Sequence, residues 1–311
     1  MTLYRHSGRV PFSGLIICGI VFSTLAVFGG AIYSAAIVYL PFVKLKFVIT
    51  LVFGCVVGSI VGSICGFAKL RNRFMVMAMA MLTMLLFYYV AWGTHAFWLV
   101  ARLEGMDMAV KDVGVSGILP HNVLSWSDHL FRNGLWSMNA AGDPIKGWFL
   151  VALWTVEAVT LFYTTWALAG STYSSKPFCE SCNQWTDLNI GVAELPVAAD
   201  DPAWSEIAQG RLETLRKLKL ATDIPTYVRV DLAQCSSCEQ CDHMLASGIT
   251  MVVDNEGNLS PVETPIVEYL AVTRKQSDEI NEFAKEMQEA MEMIAQEEDN
   301  FDDADPEESD S

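Results

Sequence analysis

Five cysteines in the C-terminal half are spaced for metal chemistry. Cys179 and Cys182 form one Cys-x-x-Cys pair; Cys235, Cys238 and Cys241 form a second cluster in which that spacing occurs twice. A Cys-x-x-Cys turn presents two thiolates to one Zn²⁺, and two such turns complete a closed, tetrahedral structural site. Asn183, directly after Cys182, suits the left-handed position such a turn needs. Cys179, Cys182, Cys235 and Cys238 are the expected ligands, because Cys235 and Cys238 directly follow a strand-like run ending at Leu232. Cys241 is the alternative ligand and His243 a weaker one. Thiol–disulfide exchange at Cys179/Cys182 is the competing chemistry. The βαβ context of a thioredoxin-like site is missing, and Glu180 beside the thiol opposes its ionisation.

A second candidate is Glu157, an acid inside the apolar run 146–170. An unpaired ionisable group at mid-bilayer costs several kcal/mol, on the order of 3 on insertion scales, so Glu157 must face the bundle interior and find a partner. Tyr88 and Tyr89 fall at similar depth on the preceding antiparallel span, and His95 a turn or two beyond. Glu157 is then either a proton or ion site or a neutral acid hydrogen-bonded between two helices. His121, Asp128 and His129 in the preceding loop match no familiar metal spacing.

The elements that must position these groups follow from hydropathy. Stretches near 14–40, 47–68, 74–100 and 146–170 are each long enough to cross a bilayer, which needs about 20 residues. Gly54, Gly58, Gly62 and Gly66 recur every four residues on one face of the second span, a seam for close helix approach. Ala26, Gly30 and Ser34 of the first span offer the matching stripe; a seam between protomers, or a pore lining, is the alternative. Met75, Met77, Met79, Met81 and Met84 scatter around the third span and line no single face, which favours lipid and packing contacts over soft-metal transport. The loop segment Asn122–Trp136 has the pattern of an amphipathic surface helix.

Arg5, Arg9, Lys69, Arg71, Arg73 and Lys176 flank the spans on one side, which favours both termini in the cytoplasm. That compartment is reducing and favours metal over disulfide for the cysteines. Residues 1–171 form the expected membrane domain and 172–276 a small α+β domain. Within the latter, strands are expected at Ile190–Leu195, Tyr227–Leu232, Gly248–Val253 and Ile266–Val272, and a helix over 203–220. An amphipathic helix over 277–298, capped by Ser277, and a disordered acidic tail at 299–311 complete the chain.

Charge divides the same way. Residues 1–171 carry 11 basic and 6 acidic side chains; residues 172–311 carry 9 and 30, within a total of −16. An acidic soluble half argues against nucleic-acid binding, which needs clustered Lys and Arg. No Ser/His/Asp set, phosphate loop or H-E-x-x-H motif points to a hydrolase or nucleotide enzyme.

Pro177-Phe-Cys-Glu-Ser-Cys-Asn-Gln-Trp185 and the Leu-x-x-Cys-x-x-Cys at 232–238 resemble zinc-ribbon knuckles. With Gly134-Leu-Trp136-Ser137, Gly147 and the Trp154…Glu157-Ala158 span, the chain is similar to uncharacterised bacterial four-span membrane proteins with a C-terminal zinc-ribbon-like domain. The resemblance implies a bacterial inner-membrane setting and no particular activity; Cys241 departs from its two-knuckle pattern. The expectation is a four-helix membrane anchor presenting a zinc-stabilised cytoplasmic domain to protein partners or to a second copy. A small transporter or channel built around Glu157, and a thiol oxidoreductase, are the alternatives.

Overall fold

The computed structural model describes residues 3–40, 43–134, 144–173, 176–218, 226–238, 240–253 and 257–302. The chain forms two compact units, one of Ser7–Ser174 and one of Met1–His6 with Ser175–Ser311.

In the first unit, four helices are long and apolar enough to cross a membrane: α1 (Phe12–Tyr39), α2 (Val43–Phe67), α3 (Arg73–Glu104) and α6 (Trp148–Thr172). Between α3 and α6 lie α4 (Met106–Asp112), a 3-10 turn at Gly114–Ile118 and α5 (Pro120–Asn133). Pro120 in the first turn of α5 lacks only an N–H that would be unpaired there anyway. Gly134 ends it at φ 75°, a conformation costly for other residues. The expected surface helix therefore starts two residues early and stops at Asn133; residues 135–136 of that expectation lie outside the described residues.

Small residues decide which helices meet. The α2 glycines face α6, not the α1 stripe that the spacing pointed to. A methyl on Gly58 would lie 2.6 Å from the Thr165 carbonyl oxygen, and one on Gly54 or Gly62 would collide with the hydroxyl of Thr164 or Thr172. Gly66 is buried at the same helix's end. The close approach lets Thr165 Oγ1 donate to the Gly54 carbonyl across the seam at 3.1 Å. Gly30 of α1 packs on α3 instead, where a methyl would meet the Phe87 carbonyl at 2.5 Å. α1 with α3 and α2 with α6 are the two principal helix pairs.

The second unit is built on a four-stranded antiparallel sheet in the order β3-β4-β5-β6 (Asp187–Leu195, Thr226–Gln234, Asp242–Val253, Leu259–Val272). A two-stranded ribbon, β1 (Phe178–Cys179) with β2 (Gln184–Trp185), precedes it. Val228, Val230 and Leu232 alternate on β4, as a half-buried strand requires, and join Met244, Ala246, Val267 and Leu270 in one core. Trp204 and Ile207 of α7 (Ala203–Ala208), Leu215 and Ile280 of α8 (Arg274–Asp302) close that core.

The helix expected over 203–220 is broken. α7 ends at Ala208, Gly210 takes φ 94°, and a 3-10 turn follows at Leu212–Lys217; residues 219–220 lie outside the described residues. The start of α8 also differs. Thr273 caps it, not Ser277: Thr273 Oγ1 accepts from the Gln276 N–H at 3.3 Å while Gln276 Oε1 accepts from the Thr273 N–H at 2.9 Å. That reciprocal pair is a capping box. Ser277 is buried one turn inside and accepts from Gln234 Nε2 at 2.7 Å. α8 continues to Asp302, into residues expected to be disordered.

Residues 3–6, expected to belong to the membrane domain, join the sheet. Leu3 bridges Leu270 on the β6 edge, and the Tyr4 N–H donates to the Tyr269 carbonyl at 2.9 Å. The Tyr4 hydroxyl accepts from the Phe178 N–H at 3.0 Å. N-terminus and sheet thus share one unit, which requires an even number of crossings between them if α1, α2, α3 and α6 span a bilayer.

Candidate metal centre

Antiparallel pairing brings the two cysteine clusters together. Cys179 ends β1, opposite Gln184 on β2, and Cys182 lies in the turn between them. Asn183 adopts φ 52°, the left-handed conformation that reverses the chain there. Cys235, Cys238 and Cys241 occupy the β4–β5 connection, closed by the register pair Gln234–Asp242 and by the Cys235 N–H donating to the Cys241 carbonyl at 3.1 Å.

The sulfurs of Cys179, Cys182, Cys235 and Cys238 all lie within 4.8 Å of one another. All four are free thiols, and Cys179 Sγ sits 3.5 Å from Cys238 Sγ, far beyond a disulfide bond of about 2.05 Å. Cys179 and Cys235 are buried; Cys182 and Cys238 are partly exposed. This set could hold a metal ion.

Neighbouring groups hold the sulfurs in place. Gln184 reaches from β2 to the second knuckle, donating to Cys235 Sγ at 3.3 Å and to Ser236 Oγ at 3.1 Å. The Ser181 hydroxyl lies 3.2 Å from Cys179 Sγ. Arg274, at the start of α8, donates through one nitrogen to the carbonyls of Cys235 (3.3 Å) and Cys238 (3.1 Å). Its Nε pairs with the buried Asp242 carboxylate at 3.1 Å. The helix is thereby tied to the cysteine loop.

Electrostatics limit the charge that the four sulfurs can carry on their own. Hydrogen bonding to Cys238, then burial and the other sulfurs, pushes the Cys182 thiol up to about 12. Burial pushes Cys179 up too, but the Ser181 hydroxyl, the Cys182 backbone N–H and Cys238 outweigh it and bring Cys179 below its usual range. Four sulfurs this close cannot all ionise unless a cation neutralises them. A divalent metal does that, releasing the protons as it binds.

Cys241 stays outside the four-sulfur set. It is half-buried, and burial followed by the nearby Cys179 pushes it up to about 12. His243 lies inside β5, buried against the Tyr4 ring at 5.2 Å between centroids, and burial pushes it down to about 4. Gln184 and Arg274 carry no signature in the sequence beyond Gln184's place two residues after Cys182.

In the first unit, Glu157 finds its partner on α1, not on α3 as its depth implied. The Tyr33 hydroxyl donates to Glu157 Oε1 at 2.5 Å and lies 3.0 Å from Thr50 Oγ1. Tyr88 and His95 line the same cavity, with Lys46, Trp92 and Trp154. His95 Nδ1 accepts from Trp126 Nε1 of α5 at 3.1 Å. Tyr89 is elsewhere, donating to the Ile118 carbonyl at 2.5 Å. The missed residues had a faint signal: Lys46 and Thr50 stand four apart on one face of α2. The loop groups do not converge: Asp128 pairs with Arg132 at 2.9 Å, and His129 stacks on Trp126.

Comparison of the chain with models of known protein families, with curated protein sequences and with solved structures found no match.

Proposed function

We propose that this chain is a membrane-anchored adaptor: a four-span bundle presenting a zinc-stabilised, zinc-ribbon-like acidic domain to protein partners. The observation that carries it is the convergence of four cysteine sulfurs on two braced knuckles. Zn–S bonds of about 2.3 Å place tetrahedral sulfurs about 3.8 Å apart, a spacing the 3.5 Å Cys179–Cys238 separation approaches. A site of four thiolates is saturated, so it fits structure and not catalysis. Burial of Cys179 and Cys235 fits the same role, since thiol–disulfide exchange needs an accessible sulfur.

Zinc here would fasten β1–β2 to the β4–β5 loop and, through Arg274, to α8. Two connections, the β1–β2 turn and the β4–β5 loop, then depend on one ion, and its binding energy becomes folding energy. Support for partner binding comes from the β5–β6 arm, where both faces expose apolar side chains: the cross-strand pair Val253 and Leu259 on one face, Val252 and Val262 on the other. Exposed apolar side chains clustered at one place in the fold mark interaction surfaces. The basic flanks of the spans and the resemblance to bacterial four-span proteins support a bacterial inner membrane with both termini in the cytoplasm.

Photo-crosslinking tests this. A photoreactive amino acid at position 253 or 259 of the full chain, in its native membrane, should give discrete protein adducts that disappear in Cys182→Ser. Adducts to lipid alone, or none from either position in a stably folded protein, would contradict an adaptor.

A further inference from the structure

The bundle contains a cavity of about 80 Å³, measured as the space open to the centre of a water molecule. On the same measure one water needs roughly 10–15 Å³, so several fit. It lies between the C-terminal half of α1, the start of α2, the C-terminal half of α3 and the N-terminal half of α6, with Leu130 of α5 at its wall. Its polar groups are Tyr33, Ser34, Lys46, Thr50, Tyr88, His95 and Glu157. Ser34 Oγ is buried and has no hydrogen-bond partner among the described residues.

Three contacts run in series from Glu157. Glu157 Oε1 to Tyr33 Oη is 2.5 Å, Tyr33 Oη to Thr50 Oγ1 is 3.0 Å, and Thr50 Oγ1 donates to the Lys46 carbonyl at 2.8 Å. Counting protons distinguishes two states. Tyr33 and Thr50 have one hydroxyl proton each, and a carboxylate has none. Two protons cannot make three hydrogen bonds. With Glu157 ionised, Tyr33 donates to the carboxylate, and Thr50 serves either Tyr33 or the Lys46 carbonyl. With Glu157 protonated, the acid donates to Tyr33, Tyr33 to Thr50 and Thr50 to the carbonyl, and all three contacts are made at once.

We propose that this cavity is an intramembrane proton-binding site in which Glu157 takes up and releases the proton and Tyr33 and Thr50 reorient with it. A hydronium ion reaching the cavity gives its proton to a Glu157 carboxylate oxygen: one hydronium O–H bond breaks, one O–H bond forms on the now neutral acid, and a water molecule is left; release reverses the step. Among the described residues, the charged and titratable groups facing Glu157 are Tyr33 from α1, Lys46 from α2, and Tyr88 and His95 from α3; α5 contributes only Leu130. Arg102 acts on Lys46 at longer range. The Lys46 ammonium favours the carboxylate, while the completed hydrogen-bond chain favours the acid. Opposed terms of this kind make a site that switches. The site stands independently of the metal centre and of the adaptor function.

Dicyclohexylcarbodiimide, which reacts with protonated carboxyls in apolar surroundings, tests it on the full-length protein in mild detergent. Peptide mapping should find the adduct on Glu157, absent from Glu157→Gln, with a yield that falls sigmoidally as pH rises. Thr50→Val breaks the chain of the protonated state and should move the midpoint to lower pH. Lys46→Met removes the opposing charge and should move it up by about one pH unit. An infrared carboxyl band identified by Glu157→Gln reports the same titration without the reagent. A band and adduct yield that do not change with pH, or midpoints unmoved in both variants, would overturn the proposal: Glu157 would then be a fixed strut.

Discussion

Adding one methyl at Gly58 should damage the bundle, although alanine is the better helix former. The Cβ would stand 2.6 Å from the Thr165 carbonyl oxygen and 2.9 Å from both Thr165 Cα and Leu168 Cβ. Two of those three atoms are backbone and cannot rotate away. Ordinary contact begins near 3.4 Å, so α2 and α6 must part by nearly 1 Å. A gap of that size forfeits a quarter to half of the dispersion attraction along the seam, and overpacking in a close-packed interior costs about 1–3 kcal/mol. Stretching the Thr165–Gly54 hydrogen bond adds roughly 0.6 kcal/mol, a typical membrane value. Against this, Gly→Ala gains up to about 1 kcal/mol of helix propensity. The net expectation for Gly58→Ala is a loss of about 2 kcal/mol. Gly19→Ala, where a methyl meets nothing within 4 Å, isolates the propensity term and should be neutral or stabilising. Reversible unfolding of the full chain in mixed micelles, followed by circular dichroism, measures both. Gly58→Ala as stable as Gly19→Ala would refute the α2–α6 seam.

Other outcomes follow from the soluble unit. Arg274→Ala strips the Asp242 carboxylate of its ion partner and frees two knuckle carbonyls. Losing one partner of a fully buried pair costs about 3–5 kcal/mol; Arg274 is partly exposed, so about 2 kcal/mol is expected, with weaker metal retention in a chelator titration. Arg274→Lys should recover only part of this, because an ammonium cannot replace the guanidinium fork. Acid should weaken the unit through His243. Its folded value near 4 lies below the usual 6.5, so the unfolded chain takes up its proton first. Stability is therefore full above about pH 6.5 and falls as pH drops toward 4. His6, also lowered by burial, acts in the same direction. His243→Phe should flatten the dependence of thermal stability on pH in that window; an unchanged slope would count against it.

Local patterns showed the architecture where one residue's chemistry was sufficient. Length and apolarity marked α1, α2, α3 and α6, and Cys-x-x-Cys spacing marked both knuckles. Partners were harder to see. Four glycines on one face of α2 announce a close approach but not to which helix; Thr164, Thr165 and Thr172 of α6 complete it, and hydroxyls give a weaker signal than glycines. Glu157 demanded a partner, yet depth on a neighbouring span could not select Tyr33 of α1, distant in sequence. Gly210 cut a helix whose apolar periodicity ran on past it. Thr273 outcompeted Ser277 as a cap because Gln276 could answer it three residues later. The return of residues 3–6 to the β6 edge rests on backbone pairing, which carries no side-chain signature.

Metal content of the purified full-length chain tests the central claim most directly. Elemental mass spectrometry, paired with thiol counting before and after chelation, should find one zinc per chain. It should also find four thiols that become reactive only when the metal is removed, and no zinc in Cys182→Ser. Folded protein that contains no metal and whose Cys179, Cys182, Cys235 and Cys238 react freely would contradict it.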